Sequence, residues 1–187
     1  GAPLYVYEAE TIKAKYQKMV NAFDVPRFKV NYACKALTNI SILKYIKSLG
    51  AGLDTVSIQE VRLGLIAGFA PKDIIYTPNC VGIEEIKDAV ELGVRINLVN
   101  LSILEQFGTL YHDTYPVCIR LNPHIMAGGN DKISVGHIDS KFGISIHQLP
   151  LVQRIVKATG LQVEGLHMHT GSDILDSEVF LLGAEIM

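Results

Sequence analysis

The chain has 187 residues, 49% of them hydrophobic and 19% charged, with a formal net charge of −2. That composition supplies a core and excludes a disordered chain, and no apolar run approaches the roughly 20 residues of a membrane-spanning helix. The interspersed charges offer no basic face to nucleic acid, so a small molecule is the expected partner.

In chain order, Pro3 to Tyr7 reads as extended. Ile12, Tyr16, Met19, Val20 and Phe23 then fall at helical spacing and predict a first helix before Pro26. Beyond it the pattern alternates. Strands are expected at Phe28–Cys34, Gly52–Ser57, Asp73–Pro78, Val94–Asn100, Pro116–Asn122 and Leu161–His169. Helical periodicity separates them through Ile40, Leu43, Ile46, then Ile58, Val61, Leu65, then Ile83, Ile86, Val90, then Leu104, Phe107, Tyr111, and Leu149, Val152, Val156. The first five strand centres recur about every 22 residues, a period that suits one β/α unit each. The long irregular segment is Asn122 to Ile146, and a loop of that length after a strand points to function.

Alternating strands and helices build a parallel sheet covered by helices, either doubly wound or closed as a barrel. Six units in 187 residues favour the barrel. A full barrel takes eight strands and typically about 250 residues. The expected fold is therefore α/β, an incomplete (β/α)8 TIM-type barrel with about six of its eight units, residues 1–187 forming its N-terminal part. The apolar, helix-like stretch running to Met187 without a cap fits a fragment. Cys34, Cys80 and Cys118 are far apart and lack C-x-x-C spacing, which argues against a disulfide framework or a zinc site and fits a reducing cytoplasm.

Barrel enzymes work at the C-terminal ends of their strands. Those ends carry Lys35, Asp54 with Ser57, Asn79, Asn100, Arg120 with Asn122, and His167 with His169. By alternation Lys35 shares a face with Lys29, Asn31 and Ala33, pointing into the barrel mouth, where burial disfavours an ammonium and favours a nucleophilic amine. A lysine reaching solvent at the rim is the plain alternative. His167 and His169 share a face opposite Leu166 and Met168. An H-x-H pair can chelate a metal, as in some barrel hydrolases, but Asp54 is the sole carboxylate among these strand ends, so no metal is expected and a metal-dependent hydrolase stays a third, rival reading. Ser57-Ile58-Gln59-Glu60 matches a capping box, which gives Ser57 and Glu60 a structural task. Arg120 alternates with apolar Val117, Ile119 and Leu121, so it faces inward and needs an anionic or oxygen-rich partner, either Asp54 or a cofactor oxygen. Gly171-Ser172 offers backbone N–H groups suited to an anion.

Five segments occur in order: Tyr32-Ala33-Cys34-Lys35-Ala36; Gly52-Leu53-Asp54 through Ser57 and Glu60; Arg120-Leu121-Asn122-Pro123; Lys141-Phe142-Gly143-Ile144; and His167-Met168-His169-Thr170-Gly171-Ser172. Together they resemble the diaminopimelate decarboxylases, pyridoxal-phosphate enzymes with an alanine-racemase-like barrel. The likeness extends over nearly the whole chain. It implies pyridoxal 5'-phosphate as cofactor, held by Lys35, with His169 stacking on the pyridine ring and Gly171 and Ser172 near the phosphate. Asp54 and Arg120 are implied to orient the cofactor's surroundings, and Lys141-Phe142-Gly143 to lie close to a homodimer interface. The implied reaction converts meso-2,6-diaminopimelate to L-lysine and CO2.

The resemblance further implies that closing strands, a glycine-rich phosphate turn, a Glu for the pyridine nitrogen and a second, β-rich domain with a partner-subunit cysteine lie outside this chain. None of the three cysteines here takes that last role. The chain departs from the family after Pro123, where His124-Ile125-Met126-Ala127-Gly128-Gly129 replaces sequence that often contains Asp. Ornithine, arginine and carboxynorspermidine decarboxylases and an amino-acid racemase share the fold and stay open. So does a non-catalytic pyridoxal-phosphate-binding or regulatory barrel.

Overall fold

The structure, a computed structural model, describes residues 1–125, 142–172 and 174–187. It divides into two compact units, Gly1–Tyr76 and Thr77–Met187. Each is built on parallel strands in the α/β manner.

In the first unit, α1 (Ala9–Asn21) is followed by β1 (Asn31–Ala33), α2 (Ile40–Ser48), β2 (Gly52–Thr55), α3 (Ile58–Ile66) and β3 (Ile74–Tyr76). The segment before α1 forms no strand, and Leu4, Tyr5 and Val6 are exposed. Helix α1 stops two residues short of Phe23, whose ring leaves the helical register to stack on Phe28 at 4.3 Å between centroids. Strands β1, β2 and β3 pair in parallel, with Ala33 opposite Asp54 and Thr55 opposite Tyr76. Leu43, Leu53, Val61 and Ile74 are fully buried between the sheet and its helices. Gly64 lets α3 settle onto the strands, since a Cβ there would stand 2.5 Å from Leu53 Cδ2 and 3.1 Å from Ile74 Cδ1. The helix starts are capped as the side chains dictate: Asn39 accepts from the N–H groups of Ser41 and Ile42, and Ser57 Oγ accepts from Glu60 N at 3.2 Å. Glu60 closes the capping box one residue early, accepting from Val56 N at 2.8 Å. At the opposite, N-terminal end of the strands, Lys29 pairs with Asp73.

The second unit runs α4 (Ile83–Glu91), β4 (Arg95–Leu98), α5 (Leu101–Tyr111), β5 (Val117–Asn122), β6 (Ile144–Ser145), α6 (Leu149–Thr159), β7 (Val163–His167) and α7 (Glu178–Ile186). All six residues of β5 are buried. It pairs with β4 on one edge; along the other, β7 takes the N-terminal part (Val117↔Val163 to Arg120↔His167) and β6 the C-terminal tip (Leu121↔Ile144, Asn122↔Ser145). The register between β5 and β7 shifts at Val117/Cys118. Gly165 sits opposite Cys118, where a Cβ would meet the sulfur at 3.1 Å. Helices α5 and α6 approach closely through Gly108, where a Cβ would come within 2.5 Å of Thr159 Oγ1. Helix α6 ends on Gly160 in the left-handed conformation, φ 72°.

The expected helices all form, and the expected strands form in shortened versions. Strand β6 was not expected, because two residues bounded by a turn carry too little alternation to read. It falls inside the span expected to be irregular, of which residues 126–141 lie outside the described residues.

Candidate cofactor site

Strand β1 ends at Ala33, and Cys34–Ala36 form a 3-10 turn. Lys35 therefore lies past the strand, and period-two alternation does not reach it. Its side chain is exposed, which corrects the expectation of a dry, inward lysine: the backbone turns before the amine's position and delivers it to the open side. The turn buries its neighbour instead. Cys34 is fully buried, and its thiol is pushed up to about 11 by burial first, then by the carboxylates of Glu60 and Asp54. This sulfur is a packing group and not a thiolate nucleophile at neutral pH. On the neighbouring strand Asp54 is half-buried, opposite Ala33 and Ile75. The first unit thus presents a reachable amine and a carboxylate at adjacent strand ends.

In the second unit Arg120 and His167 are direct register partners across β5 and β7. Arg120 is only 8% exposed. The Phe142 ring lies against its guanidinium, 5.1 Å from carbon to ring centroid, a cation–π contact that holds a buried charge in place. Gly143, at φ 79°, makes this fit possible, since a Cβ there would stand 3.1 Å from the Arg120 carbonyl oxygen and 3.2 Å from Arg120 Cγ. Phe142 and Gly143 were read from the sequence as loop residues near an interface. Their contact with Arg120 was missed, because ring and cation lie 22 positions apart along the chain. Lys141 is outside the described residues.

Strand β7 alternates half-buried Val163, Gly165 and His167 with exposed Glu164 and Leu166. Leu166 is 50% exposed, on the face opposite His167. Because the strand stops at His167, His169 sits in the following segment and is exposed; strand alternation does not set its direction. The segment is anchored by Thr170, which is buried, and by α7, where a Cβ on Gly183 would stand 2.7 Å from Met168 Cε and 3.4 Å from Thr170 Cγ2. Met168 and Thr170 are thus taken up by α7. Gly171 adopts φ 153° beside exposed Ser172. Burial, then the Arg120 charge, then His169 push the His167 imidazole down to about 4, so it is neutral at pH 7. Its Nδ1 is buried without a hydrogen-bond partner.

A second imidazole cluster flanks β5. His124, at φ 58°, bonds Ser145 Oγ through Nε2 at 2.7 Å and stacks on His147 at 5.2 Å. Its backbone N–H donates to Asn122 Oδ1 at 2.9 Å. Sequence reading treated His124 only as a departure from the family's pattern; here it ties the exit of β5 to β6. Asn100, also noted at a strand end, caps α5 by accepting from Ile103 N at 2.8 Å. The H-x-H rival reading needs further ligands. Among the described residues no group of three or more His, Cys, Asp or Glu is placed to hold a metal ion.

In the first unit the exposed amine of Lys35 suits an aldehyde, and in the second the Arg120 cation and the turn carrying Gly171 and Ser172 suit a phosphate. The comparisons agree. Residues 9–187 match the family described as "Pyridoxal-dependent decarboxylase, pyridoxal binding domain", and the chain belongs to that family. It is 37% identical over its whole length to the diaminopimelate decarboxylase of Methanothermobacter thermautotrophicus, covering 44% of that protein. It is 32% identical to the diaminopimelate decarboxylase of Escherichia coli (strain K12), over 93% of this chain and 41% of the other. The crystal structure of diaminopimelate decarboxylase from Helicobacter pylori complexed with L-lysine superposes on all of this chain and 50% of that one, with TM-score 0.87 and 29% identity. The chain spans less than half the length of these curated relatives. Its fold is accordingly the N-terminal, pyridoxal-phosphate-binding part of the β/α barrel of such decarboxylases.

Proposed function

We propose that this chain is the cofactor-binding part of an enzyme that decarboxylates meso-2,6-diaminopimelate to L-lysine and CO2 in the cytoplasm, working as a homodimer at full length. The observation that carries this reading is similarity to diaminopimelate decarboxylases along the whole chain, at 37% identity to the archaeal relative. The lysine in the Helicobacter pylori complex is the product expected of that reaction. No helix among the described residues is long and apolar enough to cross a membrane.

In this reading Lys35 is the residue whose amine would hold the cofactor. Its exposed position leaves the approach open. Pyridoxal phosphate, when bound, supplies the electron sink for the bond to carbon dioxide that breaks. Arg120, locked under Phe142, sets a positive potential at the ends of β5 and β7 that favours anionic groups. Asp54 sets a negative one beside β1, favouring a protonated amine. His169 presents a ring to solvent on which a flat heteroaromatic can stack. Gly171 and Ser172 offer N–H and hydroxyl donors to a phosphate.

The test uses the full-length protein. Wild type should carry a visible absorbance band from lysine-bound cofactor, and Lys35→Ala should lose it. Lysine and CO2 should appear from diaminopimelate, with no polyamine from ornithine, arginine or carboxynorspermidine precursors. A band unchanged in Lys35→Ala would remove the lysine assignment. Polyamine production would move the enzyme to another branch of the fold, and a bound cofactor without turnover would favour a non-catalytic barrel.

A further inference from the structure

His167 is the buried titratable group that the mechanism above leaves unused. Three observations fix its state. It is the register partner of Arg120, so the two side chains leave adjacent strands on one face. Arg120 is itself immobilised by Phe142 and by the close approach of Gly143. And His167 Nδ1 is sealed from solvent with no acceptor or donor among the described residues.

A sealed N–H with nothing to donate to costs more than a sealed lone pair, particularly a lone pair beside a cation. The proton of the neutral ring therefore belongs on Nε2. Because the residue is only half-buried while Nδ1 is sealed, the outward part of the ring is the edge carrying Nε2.

We propose that His167 is a ligand-binding residue, presenting its Nε2–H donor beside Arg120 to an anionic oxygen of the bound cofactor or substrate. A neutral donor next to a fixed cation grips an oxyanion without becoming an acid that could hand over its proton. This inference rests on the cofactor reading above. The oxygen has two possible sources, a cofactor oxygen or the substrate carboxylate, and the arms of the test separate them.

The variants are His167→Phe, which keeps the ring and removes the donor, and His167→Gln, whose amide nitrogen reaches the Nε2 position. In the full-length apoprotein, titration with pyridoxal phosphate should show about tenfold weaker binding for Phe, the loss of one hydrogen bond in a sheltered site. Glutamine should recover most of it. If the oxygen belongs to the substrate, cofactor affinity stays at the wild-type value and KM for diaminopimelate rises by that factor in Phe but not in Gln. A third readout is independent of turnover: in protein labelled with 15N-histidine, His167 should show a protonated Nε2 and a bare Nδ1. Equal cofactor affinity and KM in all three proteins would overturn the proposal, as would equal losses in Phe and Gln, or a proton on Nδ1. Failure of the wild type to bind pyridoxal phosphate would instead overturn the cofactor reading itself.

Discussion

The strand ends of the two units are built on different principles. In the first unit the functional candidate, Lys35, is exposed on the turn that carries it, while its neighbours Cys34 and Leu53 are sealed into the core. In the second unit Arg120 and His167 are themselves buried or half-buried and constrained by each other, by Phe142 and by Gly143. One end presents an exposed amine above a buried floor; the other holds charge and a neutral donor in fixed places. A lysine that must bond first to one partner and then release it needs freedom, whereas groups that orient a bound ligand act best when preorganised.

That contrast can be broken from either side. The largest expected effect is on the floor beneath Lys35. Gly64→Ala drives a Cβ to within 2.5 Å of Leu53 Cδ2, and overpacking of this kind costs about 1–3 kcal/mol. Urea unfolding should show that loss; stability equal to wild type would mean that α3 is not seated tightly on β2.

The second effect concerns pH and touches only the fixed end. The folded-state value of His167, about 4, lies below its unfolded value of about 6.5. The unfolded chain therefore binds more protons between those two pH values. Stability from this group is intact above about pH 6.5 and drains away as pH falls toward 4. Unfolding curves at pH 7, 5.5 and 4.5 should fall more steeply for wild type than for His167→Gln. Parallel curves would show that the imidazole is not held neutral by its surroundings.

A smaller change is expected from Phe142→Leu, which removes the ring from the Arg120 guanidinium. The cation–π contact is worth about 0.5–2 kcal/mol, and cofactor affinity should fall with it while the Lys35 band keeps its position. Smallest is Ser57→Ala, which deletes the cap of α3 at a cost of about 1 kcal/mol. It should lower the melting temperature without shifting cofactor affinity, because Ser57 serves the helix and not the ligand.

How much of this was legible in the sequence follows from the range of each signal. Helices α2 to α6 declared themselves through apolar spacing, and the capping box at Ser57–Glu60 was readable because all its partners lie within a few residues. The strand ends were found but not their limits. Alternation through Tyr32 and Cys34 looks the same whether the strand ends at Ala33 or runs on to Lys35, so the exposure of the amine was misjudged. The same limit placed His169 on β7, although the strand stops at His167. Arg120 was recognised as an inward cation, yet its contact with Phe142 spans the segment after β5 and leaves no local trace. The place of His167 beside Arg120 depends on a register shift at Val117/Cys118, which only the paired strands reveal.

The central claim is that the amine at position 35 carries the cofactor. Borohydride reduction of the full-length protein with bound pyridoxal phosphate, followed by digestion and mass spectrometry, tests it directly. The modified group should appear on the peptide containing Tyr32 to Ala36, with Lys35 as the site. A label on any other lysine, with that peptide unmodified, would contradict the account.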